Sequence, residues 1–344
     1  MKELLGYGAA FLATLAGVEI FRRWSLRKEF LDVPNERSSH TVPTPRGGGL
    51  IVVIVCLTGY VIATLFLTGG FRWSYLVAAA AVALISWIDD LYTVSSVWRF
   101  AVHTFAAFAA ILTLGCFRQI SLPALGVFDL GILGGVLTFF WIVWLTNAYN
   151  FMDGIDGIAG LQAVTAGIGW YLCGNLLGAP AAGFYGGVIA AAGLGFLLLN
   201  WQPAKIFMGD VGSAFLGYSF AVLPLLAKSD PNLNAENEKK LLPAAVILVW
   251  LFVFDTLWTF GRRVLNGEKV WQAHRSHLYQ RLVISGFSHS AVSGLYGAIS
   301  ALNAAASILF VKNILPIGFP IGLIILQTAG LLGGMYFIKL RNGR

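Results

Sequence analysis

Charged side chains are scarce in this chain. They make up 11% of its 344 residues, against about 25% in an average soluble domain. Hydrophobic residues reach 58% and mean hydropathy is +0.76, a balance that excludes an ordinary soluble protein. Cysteine is almost missing: Cys56, Cys116 and Cys173 all fall inside apolar runs with no CxxC spacing, which argues against a disulfide framework or a thiolate metal site. No nucleic-acid-binding motif occurs, and no long polar linker divides the sequence. Residues 1–344 therefore read as one domain.

Long apolar runs are what the chain does have. Crossing about 30 Å of hydrocarbon takes roughly 17 to 25 apolar residues. Eleven such runs are present, near 4–21, 49–68, 74–91, 99–116, 128–146, 158–177, 183–200, 209–227, 242–261, 290–311 and 314–338. The expectation is an all-α polytopic membrane protein with about 11 transmembrane helices. The first run carries Glu19 and lacks a basic leader and a small-residue cleavage site, so it reads as a retained helix. Of the Lys and Arg residues, 16 fall on one set of alternating loops and 7 on the other. Because cytoplasmic loops accumulate them, the N-terminus is expected outside, in the periplasm, and the C-terminus in the cytoplasm. The net charge of +7 then faces mostly inward, towards anionic membrane lipids and phosphorylated small molecules rather than nucleic acid. The segment 227–240, on the outer side, reads as a solvated connection.

Against this background the acids stand out. Asp89 and Asp90 in "SWIDDLY", Asp153 and Asp156 in "FMDGIDG", Asp210 in "FMGDVGS" and Asp255 in "VFDTLW" all fall at run ends on the same side. Carboxylates at the edge of hydrocarbon cost several kcal/mol unless paired, hydrated or bound to a cation, so they are functional candidates. Bland alternatives exist for two: Asp210 or Ser213 as an N-cap, and Asp255 as an ion-pair partner of Arg262 or Arg263. The i, i+3 spacing of Asp153 and Asp156 predicts that they share one helical face. Carboxylates gathered at one depth repel one another unless a cation lies among them. Magnesium, which takes one or two carboxylates plus phosphate oxygens, suits such a place. Gly154, Gly157, Gly209 and Gly212 let backbone come close to a ligand.

The same face carries cations in its inner loops, 22–48, 89–99, 147–157, 200–209 and 262–289. Arg37, His40 and Arg46 lie in the first; Lys205, His274, Arg275, His277 and Arg281 lie in later ones. Arginine forks suit phosphate oxygens. His274 and His277 are spaced for zinc, but no cysteine or further histidine accompanies them in "HRSHLYQRL". His103 reads as a packed helix residue. Intramembrane acids also mark transporters, but those sites sit near the midplane, whereas these acids sit at run ends.

"DVPNERSSHTVPTPRGGGL", "DDLYTVS", "NAYNFMDGIDGIAG", "NWQPAKIFMGDVGSAFLGY", "VFDTLWTFGRR" and "HRSHLYQRL", in this order, resemble the bacterial polyprenyl-phosphate N-acetylhexosamine-1-phosphate transferases over nearly the whole chain. The resemblance implies transfer of a sugar 1-phosphate from a UDP-N-acetylhexosamine to undecaprenyl phosphate with release of UMP. It further implies Mg2+, with Mn2+ as a substitute, and an active site on the cytoplasmic face of the bacterial inner membrane. By the same resemblance Asp89 and Asp90 are the acidic pair near the lipid phosphate, one of them proposed as its base, and Asp210 is a magnesium ligand. Asp153, Asp156, Asn147 and Asn150 belong to the nucleotide-sugar and metal site. "HRSHLYQRL" departs from the histidine run of members that use UDP-N-acetylglucosamine: His274 replaces an aspartate, and Tyr279 and Gln280 replace the later histidines. That pattern resembles the O-antigen-initiating branch, so a 6-deoxy sugar such as N-acetylfucosamine or N-acetylquinovosamine is the expected donor, with UDP-N-acetylglucosamine as the alternative. A homodimer stays open.

Overall fold

The computed structural model describes residues 2–34, 41–68, 72–122, 126–269 and 274–341. Within them the chain forms α1 (Lys2–Arg27), α2 (Gly49–Ala63, prolonged by a π-helical turn, Thr64–Thr68), α3 (Trp73–Tyr92), α4 (Ser96–Leu114), α5 (Gly131–Met152), α6 (Ile158–Leu177) and α7 (Pro180–Asn200). There follow α8 (Asp210–Lys228), α9 (Ala235–Leu248), α10 (Trp250–Leu265), α11 (Leu278–Ile284), α12 (His289–Val311) and α13 (Gly318–Arg341). Two short antiparallel pairs interrupt the helices: β1 (Leu31–Asp32) with β2 (Thr44–Pro45), and β3 (Gln119–Leu122) with β4 (Gly126–Asp129).

Among the described residues nine helices are long and apolar enough to span a membrane, and the bent pair α9–α10 makes a tenth. Of the eleven expected runs, one falls short of that test of length and hydropathy. Residues 158–177 do form a 20-residue helix, α6, but Gln162, Asn175 and several glycines dilute its hydropathy, and it packs in the interior. Burial grades from the centre outward: 89% of the α8 span is enclosed by protein and 78% of α7, against 17% of α1 and 11% of α13.

The tenth span is broken rather than straight. α9 and α10 meet at a bend of 66°, and the helix cannot satisfy its own carbonyls there. The Gln162 side chain supplies a donor, Nε2 to the Leu248 carbonyl at 2.9 Å. Its Oε1 in turn accepts from Ser300 Oγ at 2.7 Å. A polar thread thus ties α12, α6 and α9 inside an apolar bundle, where an unpaired amide costs several kcal/mol.

Candidate active site

Neighbouring helices run in opposite directions, so the C-terminal ends of α3, α5 and α7 meet the N-terminal ends of α4, α6, α8 and α12. The acids were expected at one depth, and five of them converge at this end.

Asp90, 5% exposed, accepts the Asp210 N–H on Oδ1 and the Val211 N–H on Oδ2, both at 3.1 Å. These are two orphan donors at the start of α8, and a carboxylate there also answers the helix dipole. The N-cap position is Gly209, at φ +77°; a side chain on it would put a Cβ 2.7 Å from Asp90 Oδ2, so glycine is required. Neither Asp210 nor Ser213 caps the helix: an aspartate from α3 does. Arg46 donates from Nη2 to the Asp90 carbonyl oxygen and lies over the Phe30 ring, 5.2 Å from its centroid.

Asp89 accepts the Val94 N–H at 2.5 Å. Arg99 Nη1 bridges Asp89 Oδ2, at 2.5 Å, and Asp210 Oδ2, at 2.7 Å. Arg99 was not among the residues singled out from sequence; its position at the start of an apolar run was the available signal. Asn150 reaches α8 as well, donating Nδ2 to Ser213 Oγ at 3.0 Å, while Asn147 spends its amide on Val143 O of its own helix.

Asp153 and Asp156 do not share a helical face. α5 ends at Met152, with Asp153 as its C-cap, and α6 begins after Gly157, at φ +81°. Asp156 lies in the intervening turn, 8% exposed. Its Oδ2 accepts the Ala204 N–H at 3.0 Å, and its Oδ1 lies 3.3 Å from His289 Nδ1. Asp153 differs from the other acids: among the described residues no donor reaches its carboxylate. Burial, then Asp210, Asp90 and Asp156, push its pKa well above the ordinary carboxylate value.

The loop after α10 supplies the remaining groups. Asp255 is fully buried and does not pair with Arg262 or Arg263. Arg262 donates to Ser276 O, and Arg263 pairs with Glu268 at 2.8 Å. Asp255 instead caps α11, accepting Leu278 N–H on Oδ1 at 2.8 Å and Tyr279 N–H on Oδ2 at 3.2 Å. Thr259 and Tyr296 hydroxyls donate at 3.2 and 2.9 Å, and His277 Nδ1 lies at 3.2 Å. This holds the imidazole by one nitrogen, and Nε2 has no partner among the described residues. Tyr279, the residue after next, donates its hydroxyl to Phe151 O at 2.9 Å. A Cβ on Gly154 would sit 2.1 Å from that hydroxyl, so the loop closes onto the Asp153 turn only because residue 154 is glycine. His274 hydrogen-bonds Ser276 through Nδ1 at 2.9 Å. Its pKa falls to about 4 through burial, then the neighbouring His277 and Arg263. Arg281 is partly buried on α11, and Arg275 precedes it.

Not every expected residue joins the cluster. The Lys205 side chain lines a groove between α1 and α7 with Arg22 and Arg23. His103 is buried on α4, close to Asn147. Arg37 and His40 lie outside the described residues. Among the described residues no three His, Cys, Asp or Glu side chains close on one point as a complete metal cage. The donor set fits a partial one. Asp90, Asp156 and Asp255 are occupied by backbone N–H groups, whereas Asp153 is unpaired beside Asp210, an excess of negative charge that a hard cation would offset together with phosphate oxygens.

An all-α polytopic membrane protein with a carboxylate cluster rimmed by arginine and histidine at one end of its helices has, as a class, the build of a multi-pass membrane enzyme. More particularly, the chain belongs to glycosyl transferase family 4, whose model matches residues 72–228. It is 32% identical over 292 residues to a probable undecaprenyl-phosphate N-acetylglucosaminyl 1-phosphate transferase of Bacillus subtilis, covering 84% of this chain and 79% of that one. It is also similar to decaprenyl-phosphate N-acetylglucosaminephosphotransferases of Mycobacterium leprae, at 33% identity over 83% of this chain and 78% of the relative, and of Mycobacterium tuberculosis, at 32% over 89% and 82%.

Proposed function

We propose that the protein transfers N-acetylglucosamine 1-phosphate from UDP-N-acetylglucosamine to a polyprenyl phosphate, releasing UMP, at the cytoplasmic face of the membrane. The relatives' donors favour this sugar over the 6-deoxy hexosamines that "HRSHLYQRL" suggests. The observation that carries the reading is the Asp153 carboxylate, unpartnered beside Asp210 at the start of α8.

Asp153 and Asp210 are the residues that would hold Mg2+. The ion supplies charge neutralisation on the diphosphate and on the leaving UMP. The protein's own groups do the positioning. Asp90 fixes the first turn of α8 and with it Asp210. Asp156 fixes the loop entering α8 through Ala204. Asp255 orients the His277 ring through Nδ1. Arg99, bridging Asp89 and Asp210, offers its remaining N–H groups to the acceptor phosphate, which is already largely ionised near neutral pH. Transfer is direct: the acceptor oxygen bonds to the sugar-linked phosphorus as the bond to UMP breaks.

The test is UMP release by purified protein with polyprenyl phosphate, Mg2+ and a panel of UDP-N-acetylhexosamines that includes the 6-deoxy sugars, wild type beside Asp210→Asn. Release with UDP-N-acetylglucosamine, abolished by chelation and in the variant, is expected. Release with a 6-deoxy donor alone would return the assignment to the O-antigen branch.

A further inference from the structure

A groove of about 550 Å³ runs between α1 and the end of α7, at the same end of the bundle as the acids. Its floor is apolar. Leu12, Leu15 and Ala16 share one face of α1, and Leu199 closes the other side. Leu12 is 61% exposed and α1 is largely uncovered by protein, so this face meets lipid.

The chemistry changes at the end of the groove. One turn beyond Ala16 the same face presents Glu19, which holds Arg22 Nε and Arg23 Nε, each at 2.7 Å. One carboxylate thus serves two guanidinium groups. The Nη atoms of Arg23 have no protein partner among the described residues, and its side chain is 67% exposed. Lys205 lines the groove opposite and has no acidic partner among the described residues. Two positive charges are left in excess at the head of an apolar channel roughly two helical turns long. That is the pattern of an acyl chain below and an anionic head group above.

None of the cluster acids lines the groove, so a phosphate held there is not in line for transfer. The occupant is therefore a lipid other than the acceptor. The position of Lys205 in the chain gives the site a route to the active centre. Its own N–H bonds Leu199 O at 2.8 Å, the preceding Ala204 N–H is held by Asp156, and Phe207 N–H bonds Pro45 O at 2.8 Å. The loop then runs through Gly209 to Asp210.

We propose that this groove binds an anionic phospholipid, its phosphodiester between Arg23 and Lys205 and an acyl chain along Leu12, Leu15 and Leu199, bracing the 201–209 loop. Binding of the lipid does not rest on the proposed function, and it is measured without turnover.

The experiment is native mass spectrometry of the full-length protein released from detergent, titrated with phosphatidylglycerol and, separately, with phosphatidylcholine. Wild type is expected to retain phosphatidylglycerol preferentially. Arg23→Gln/Lys205→Gln should weaken that retention roughly tenfold or more, as expected for two basic residues at an anionic head group, while Arg23→Lys/Lys205→Arg keeps it. Equal retention by wild type and the glutamine variant would overturn the proposal. So would displacement of bound phosphatidylglycerol by a polyprenyl phosphate, which would make the groove an acceptor site. Failure of every UDP-sugar to release UMP would strike the proposed function and leave this result standing.

Discussion

Replacing Asp255 by asparagine keeps the side chain's volume and removes its charge. Five groups address that carboxylate: the Leu278 and Tyr279 N–H groups, the Thr259 and Tyr296 hydroxyls, and His277 Nδ1. An amide keeps one accepting oxygen and turns the other position into a donor facing donors. The less costly placement puts nitrogen at Oδ2, opposing Tyr279 N–H and Tyr296 O–H. Hydrogen bonds to a charged acceptor are worth about 1.5–3 kcal/mol each, so losing two costs about 3 kcal/mol or more. At about 1.4 kcal/mol per factor of ten, local opening of the α11 segment should rise roughly a hundredfold. Trypsin cleavage at Arg275 and Arg281 in solubilised protein, under conditions where opening and reclosing are fast relative to cleavage, reads that equilibrium. UMP release should fall in parallel because His277 and Tyr279 are no longer held. Cleavage and activity both indistinguishable from wild type would refute the reasoning.

Asp210→Asn should lower turnover by roughly 10²-fold or more, a loss of the size seen when transition-state charge goes uncompensated. Asp153→Asn bears on stability in the opposite sense. The raised pKa of Asp153 means that its ionisation disfavours the folded state, so wild-type stability from this group is complete below about pH 4 and is lost as pH rises through the folded pKa. The variant should therefore melt above wild type at pH 8 in metal-free buffer and level with it under acid. Added Mg2+ should raise the Tm of wild type more than that of the variant. For His274 the sign reverses. Its folded pKa is lowered to about 4, so stability is present at neutral pH and lost as pH falls from about 6.5 towards 4, and His274→Asn should flatten that stretch of the Tm–pH curve. Gly209→Ala forces φ +77° on an L side chain against Asp90, and about 1–2 kcal/mol of strain should appear as a lower Tm and reduced activity.

The acids were legible because charge is so rare in this chain that each carboxylate at a run's end needed a reason. Their division of labour was not. Asp90, Asp156 and Asp255 are all bound to backbone N–H groups of other segments, 120, 48 and 23 residues away respectively, and which helix end lies opposite a given acid is a fact of packing. For Asp255 the near arginines suggested an ion pair, but Ser276 O and Glu268 claimed them. The i, i+3 spacing of Asp153 and Asp156 misled because α5 stops at Met152, with Asp153 as its C-cap, and α6 starts only after Gly157 at φ +81°. Lys205 shares a loop with residues beside the site, yet its side chain faces the other way. The run at 158–177 was correctly helical and too polar to count as a span on hydropathy.

The interior α6 also has a history within each molecule's synthesis. Its Gln162 amide bonds only to partners that the ribosome delivers later, Leu248 O by 86 residues and Ser300 by 138. As the nascent chain emerges, α6 enters the bilayer as a weakly hydrophobic segment with an unanswered amide. It becomes secure only when the bent pair and then α12 arrive. Chains stopped before residue 300 should hold this helix loosely, so biogenesis of the bundle is completed from its C-terminal third.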